Sequence, residues 1–159
     1  HPKTLQPLKA KGIPLEIRSF VNPETEGTWI ADSVETVPKT AFYILKKNQT
    51  LLSIAALDLD FILENHLAQI FSVLAKYNAK VNLIQNSAVS CSLAVDVDPL
   101  QVQTLIEELS KNYRIKYNTG LELLTIRHYN QGSEQSILKD KEIILSQENR
   151  TTKQVLFVS

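Results

Sequence analysis

The stretch from Thr50 to Tyr117 constrains the chain most, because strand and helix patterns alternate there twice in an order that closes into one small unit. Thr50 to Leu57 is an apolar run of strand length. Asn65 to Tyr77 then places Leu67, Ile70, Phe71 and Leu74 at i, i+3, i+4 and i+7, on one face of a helix. Lys80 to Ile84 and Ser90 to Val97 are two further apolar runs, and the polar Gln85-Asn86-Ser87 between them predicts a hairpin turn. Asp98 before Pro99 marks a helix start, where the aspartate accepts from first-turn amides and proline has no donor to leave unsatisfied. Val102, Leu105, Ile106 and Leu109 repeat the first helix's stripe, and Arg114 to Tyr117 closes the unit as a strand. The predicted class is α+β. The order is a ferredoxin-like βαββαβ, with two one-faced helices covering one face of a four-stranded antiparallel sheet.

The flanks differ in texture. Residues 1–40 hold five of the six prolines, and their one strand pattern is Ile13 to Phe20, followed by turn signals at Asn22-Pro23 and Glu26-Gly27. Too few apolar side chains lie there for a core of their own. Ala41 to Lys46 is a short strand candidate, cut from the next by Lys47-Asn48-Gln49. After the central unit, Asn118-Thr119-Gly120 reads as a turn and Leu121 to Ile126 as a strand. Gln131 to Lys141 offers at most a short helix, and Glu142 to Leu145 and Gln154 to Val158 read as strands. This last unit has about half the helices of a full module.

Composition removes several classes of function. No apolar run approaches the ~20 residues that span a bilayer, so no membrane role is expected. Seventeen basic and seventeen acidic side chains cancel with no basic cluster among aromatics, which argues against a nucleic-acid partner. The single Cys91 sits in a strand pattern as a small hydrophobe, consistent with a reducing, cytoplasmic setting. The chain starts at His1 and holds no methionine, so it is expected to be a piece of a longer protein. Four scattered glycines supply no phosphate-cradling loop, and the three histidines have no ligand-spaced partners, so neither a catalytic set nor a metal site is predicted. Asp58 with Asp60, and Asp96 with Asp98, read as strand-end or capping aspartates.

Several separate motifs carry a family resemblance. His1-Pro2-Lys3-Thr4-Leu5, Ile13-Pro14-Leu15, Asn22-Pro23 and Gly27-Thr28 resemble the end of the catalytic domain of aspartate kinases. Lys47 to Ser53, Val81-Asn82-Leu83-Ile84 and Ser87 to Leu93 resemble the family's regulatory ACT domain, nearest the lysine-sensitive, single-function branch. The resemblance implies three parts: residues 1–38 as the tail of the catalytic domain, 49–117 as a first ACT domain, and 39–48 with 118–159 as a second, incomplete one. It implies a parent enzyme that uses ATP and magnesium to phosphorylate the side-chain carboxylate of aspartate, with the catalytic apparatus outside this chain. The chain alone is then inactive and without a cofactor.

The resemblance also implies a homodimer through the first ACT domain, with a free amino acid bound between the two copies. The implied contact positions are Leu59, Asn65, His66, Leu67, Lys80, Val81, Asn82, Gln85, Asn86 and Ser87. Taken alone, Asn65 reads as an N-cap and Gln85 to Ser87 as an ordinary turn. Lysine-sensitive members carry an aspartate where Asn82 stands and a glutamate where Ala88 stands, and desolvating a lysine ammonium without a counter-charge costs several kcal/mol. Gln85-Asn86 resembles the Gln-Asn of threonine-responsive relatives. Lysine and threonine are therefore both carried as effectors, beside the alternative of a dimerisation module whose pocket has decayed.

Overall fold

The computed structural model describes residues 2–31, 40–58, 61–130, 132 and 134–158. It falls into two compact units, one within His1–Thr40 and the other within Ala41–Ser159.

The smaller unit opens with a helix that the sequence reading did not anticipate, α1 (Pro2–Ala10), with Pro7 inside it. The strand expected over Ile13 to Phe20 is shorter, β1 (Leu15–Ile17), and pairs antiparallel with β2 (Thr28–Ile30). Gly27 is required where the chain returns: a Cβ there would lie 2.8 Å from both the Ile17 carbonyl and the Arg18 side chain. Phe20, Val21 and Trp29 stay exposed, in keeping with a segment too poor in apolar residues to bury them.

The larger unit is built on one antiparallel sheet of six strands, in the order β4-β5-β3-β6-β8-β7. Its two long strands, β3 (Phe42–Ala56) and β6 (Tyr113–Arg127), pair along their whole length. Each was expected as two strands separated by a turn. Lys47-Asn48-Gln49 is instead a bulge, with register shifts on both sides of Gln49 and Asn48 in the left-handed region at φ 56°. Gly120 opposite it has φ 70°, which glycine adopts without steric cost. A bulge re-aims a strand without ending it, so both strands bend at the same level and divide the sheet into two halves.

In the first half, β4 (Lys80–Asn86), β5 (Ser90–Asp96) and the adjacent parts of β3 and β6 carry two helices on one face. These are α2 (Glu64–Lys76) and α3 (Pro99–Ser110), and their stripes bury Ile70 and Leu74, and Leu105, Ile106 and Leu109. They pack on Leu52, Ile54, Cys91, Leu93 and Val95 of the sheet. Asp98 caps α3 as expected, its Oδ1 accepting from the Leu100 amide at 2.9 Å. Cys91 is fully buried, and desolvation pushes its thiol pKa up.

In the second half, the rest of β3 and β6 is joined by β8 (Thr152–Val158) and β7 (Glu142–Glu148). One face holds Leu124, Ile126, Val155 and Phe157, covered by Leu138 of the four-residue α4 (Gln135–Leu138) and by Tyr129. The other face presents Leu121, Leu123 and Leu156, which share a core with Leu51, Leu83 and Ala94 on the rear of the first half. The sheet therefore doubles back on itself. Strands β4 and β8, far apart in the sheet order, touch where Gln154 Nε2 donates to the Asn82 carbonyl at 3.3 Å.

Candidate functional site

The entry to α2 is built by a histidine. Leu63 is the N-cap and has no side-chain acceptor, and His66 Nδ1 reaches back over the turn, 3.3 Å from the Leu63 amide and 3.1 Å from the Phe61 carbonyl, accepting from the first in one tautomer and donating to the second in the other. Asn65 is not the cap that its residue type suggests; its Oδ1 accepts from the His66 amide at 3.0 Å. Among the described residues, the amides of Glu64 and Asn65 have no partner. They are the donors that a helix start offers to a carboxylate.

A cavity of about 320 Å³ opens beside this turn, which lies near the lower end of the range for small-molecule sites, ~300–1,000 Å³. Asn65 and His66 line it together with Asp58, Gln69, Lys111 and Tyr113. Tyr113 anchors the floor: its ring meets His66 edge to face at 6.0 Å, and its hydroxyl donates to Gln69 Oε1 at 2.8 Å. Burial pushes the Tyr113 phenol pKa up, so the hydroxyl stays a donor. Gln69, Lys111 and Tyr113 escaped the sequence reading because α2, the turn after α3 and the start of β6 meet only when the unit closes.

The other positions implied by resemblance divide into groups. Leu59 lies outside the described residues. Leu67 and Val81 pack against the first-half core. Gln85 and Asn86 are the last residues of β4, not a turn, and the turn proper runs from Ser87 to Val89. Ser87 locks that turn, its Oγ bonding the Ser90 carbonyl at 3.0 Å. The Ile62 amide donates to the Ala88 carbonyl at 2.9 Å, which ties the hairpin tip to the approach to α2. The hairpin and the α2 entry thus share one end of the unit. Lys80 opens β4 and lines a separate cavity with Asn78, Asp96 and Asp98.

Asn82 is committed to internal bonds. Its Nδ2 donates to Gln49 Oε1 at 2.7 Å, and its Oδ1 accepts from Lys46 Nζ at 2.6 Å. Gln49 is 1% exposed, so its side-chain carbonyl depends on that donor. The residue sits at the register shift between Val81 and Leu83, where β4 bulges toward the second half. Nothing in its sequence neighbourhood signals these partners.

No family model matches the chain. Among curated proteins it is similar to lysine-sensitive aspartokinase 3 of Escherichia coli K12, 34% identical over 133 residues, 79% of this chain and 29% of that protein. It is also similar to the chloroplastic aspartokinase 1 of Arabidopsis thaliana, 29% identical over 68% of this chain and 19% of that protein. The chain thus spans less than a third of the length of these relatives. Among solved structures, the E. coli aspartokinase III complex with lysine and aspartate, in its T-state, matches at TM-score 0.71 and 28% identity. That match covers 98% of this chain and 38% of the other. The match spans both units of the fold, and the antiparallel, helix-covered sheet is the one expected of an ACT module. The chain belongs with the aspartokinases, as a homologue of their regulatory, ACT-domain region.

Proposed function

We propose that this chain is the regulatory region of an aspartate kinase and that its first half senses an end-product amino acid. The parent enzyme, in this reading, is cytoplasmic and transfers the γ-phosphoryl of ATP, with magnesium, to the side-chain carboxylate of aspartate. The observation that carries the reading is the match over nearly the whole chain to an aspartokinase solved with lysine and aspartate. The cavity at the α2 entry supplies suitable chemistry. The Glu64 and Asn65 amides would take the α-carboxylate, and Asn65 and Gln69 are side-chain amides that line or border it. A homodimer through the first half would bring a second copy's hairpin, with Gln85, Asn86 and Ser87, against the ligand. Asn82 is neutral and its amide is already engaged by Lys46 and Gln49, so it would offer a lysine ammonium neither a counter-charge nor a free acceptor, which favours threonine over lysine.

A second reading has one observation in its favour. Lys80, Asn82 and the α2 entry do not converge on one cavity, as a dimerisation module with a decayed pocket would have it. Isothermal titration of the chain with threonine, lysine and methionine separates the two. Saturable heat that is lost in Asn65→Ala and Gln85→Ala supports the sensor. A dimer by sedimentation with no heat from any of the three supports the scaffold.

A further inference from the structure

A further cavity, of about 490 Å³, opens beside the N-terminal end of α3, where the sheet runs on past the helix into the bend. It shares no residue with the cavity at the α2 entry. Its apolar walls are Val97, Pro99, Val102 and Tyr117, and the positive-φ residues Asn48 and Gly120 border it from the bend. No charged side chain lines it, in contrast to the cavities at the α2 entry and at the start of β4. Thr50 is the buried polar group of the lining. It pairs with Val95 on the helix-covered face, is 4% exposed, and has a hydroxyl without a hydrogen-bond partner among the described residues. The described side-chain polar atom that is both sealed from solvent and unpartnered is Glu134 Oε2. The Thr50 oxygen is therefore unpartnered but not sealed, and it opens onto the cavity it lines.

A lining without charges disfavours a charged ligand, because an ion desolvated there would have no counter-charge. Water can serve the Thr50 hydroxyl but gains nothing from the apolar walls. Apolar walls with one placed polar group are the make-up of a small-molecule site, in which the polar group fixes the ligand's orientation. A hydroxyl both donates and accepts, so it suits a ligand carrying a single O–H or N–H. The half-exposed Tyr117 ring is the part of the wall suited to a planar partner. We propose that this cavity binds an uncharged aromatic molecule with one hydrogen-bonding group, of the phenol or indole class, its polar group on the Thr50 hydroxyl and its ring beside Tyr117. Such a ligand touches α3 of the first half and the bend at once. The site does not depend on the sensor assigned to the α2 entry.

Amide-resolved NMR titration of the whole chain with phenol and indole tests it, with toluene as the ring without a polar group and benzoate as the charged ring. The expected result is saturable movement of the Thr50, Val102 and Gly120 amides with phenol and indole, and none with benzoate. Thr50→Val keeps the branched shape and removes the hydroxyl. It should weaken phenol about two- to tenfold, the worth of one neutral hydrogen bond, and leave toluene unchanged. No protein group loses a partner in that variant, so it should keep the parent melting temperature and report on binding alone. Asn65→Ala should leave these shifts unchanged. The proposal is overturned if neither phenol nor indole moves these amides, if benzoate matches phenol, or if Thr50→Val weakens phenol no more than toluene.

Discussion

The two halves of the larger unit share the strands β3 and β6 yet are closed in different ways. The first is covered by helices of 13 and 12 residues, and its sheet face is sealed. The second has the four-residue α4, and Tyr43 and Leu45, cross-strand neighbours of the buried Ile126 and Leu124, remain nearly half exposed. Each half also carries a lysine-glutamate-tyrosine cluster. In the first, Glu108 accepts from Lys76 and the Tyr77 hydroxyl and pins α2 to α3 at the surface. In the second, Glu134 does the same with Lys153 and Tyr129, and both charged side chains of that cluster, Glu134 and Lys153, lie largely out of water. Where helices supply apolar cover, the polar cluster is peripheral; where they do not, it stands in for the cover.

The largest expected effect that sharpens this contrast is a pair of truncations read by urea unfolding. Leu74→Ala should cost about 2–5 kcal/mol, the usual range for a fully buried leucine. Leu138→Ala, half-buried over the second half, should cost less than half as much. Equal losses would break the distinction between a sealed and a thinly covered face. Next, Asn82→Ala removes the donor to buried Gln49 and should cost about 1–3 kcal/mol by the same measurement. Gln154→Ala, which removes the longer bonds to the Asn82 carbonyl, Thr125 and Gln147 but leaves no fully buried polar group without its partner, should cost less.

Smaller effects are expected at the bend. Gly120→Ala should lose about 1 kcal/mol, because alanine resists the positive φ, whereas Asn48→Gly should be neutral within a few tenths. The pH dependence gives the finest comparison. Burial would raise the Glu134 pKa, but the bonds from Lys153, its own amide and Tyr129 outweigh it and hold the carboxyl below its ordinary value. Its contribution is therefore present at neutral pH and lost as pH falls from the ordinary carboxylate value through the lowered one. Lys153, pushed up to about 12 chiefly by the Glu134 bond, contributes below its ordinary value near 10.4 and loses that only as pH rises through about 12. Glu134→Gln should flatten the acid limb of the melting-temperature profile; an unchanged limb would show that the cluster is not what that half leans on.

What the sequence displays well is anything local. The stripes of α2 and α3, the Asp98-Pro99 helix start and the pairing of β4 with β5 all follow from spacing and capping chemistry that operate within a dozen residues. What it hides depends on distant partners. Lys47-Asn48-Gln49 and Asn118-Thr119-Gly120 have turn composition, and only their mutual pairing turns them into a bend within continuous strands. Proline at positions 2 and 7 obscured α1, although proline at a first helical turn is tolerated. At the α2 entry, two implied positions, Asn65 and His66, do line a cavity, while Asn82 is taken up by Lys46 and Gln49, more than thirty residues earlier in the chain. A side chain's availability is a tertiary property, and a motif match carries no information about it.

The unbroken course of β3 and β6 also sets an order of assembly. Their pairing runs from Ala56 with Tyr113, where the intervening loop is shortest, outward to Phe42 with Arg127, where it is longest. Loop closure becomes entropically costlier along that path. The pair should therefore nucleate in the first half, steadied by α2 and α3, and zip toward the second. In a pulse-labelling refolding experiment, the amides of Leu52 to Ala56 should gain protection from exchange before those of Tyr43 to Lys46.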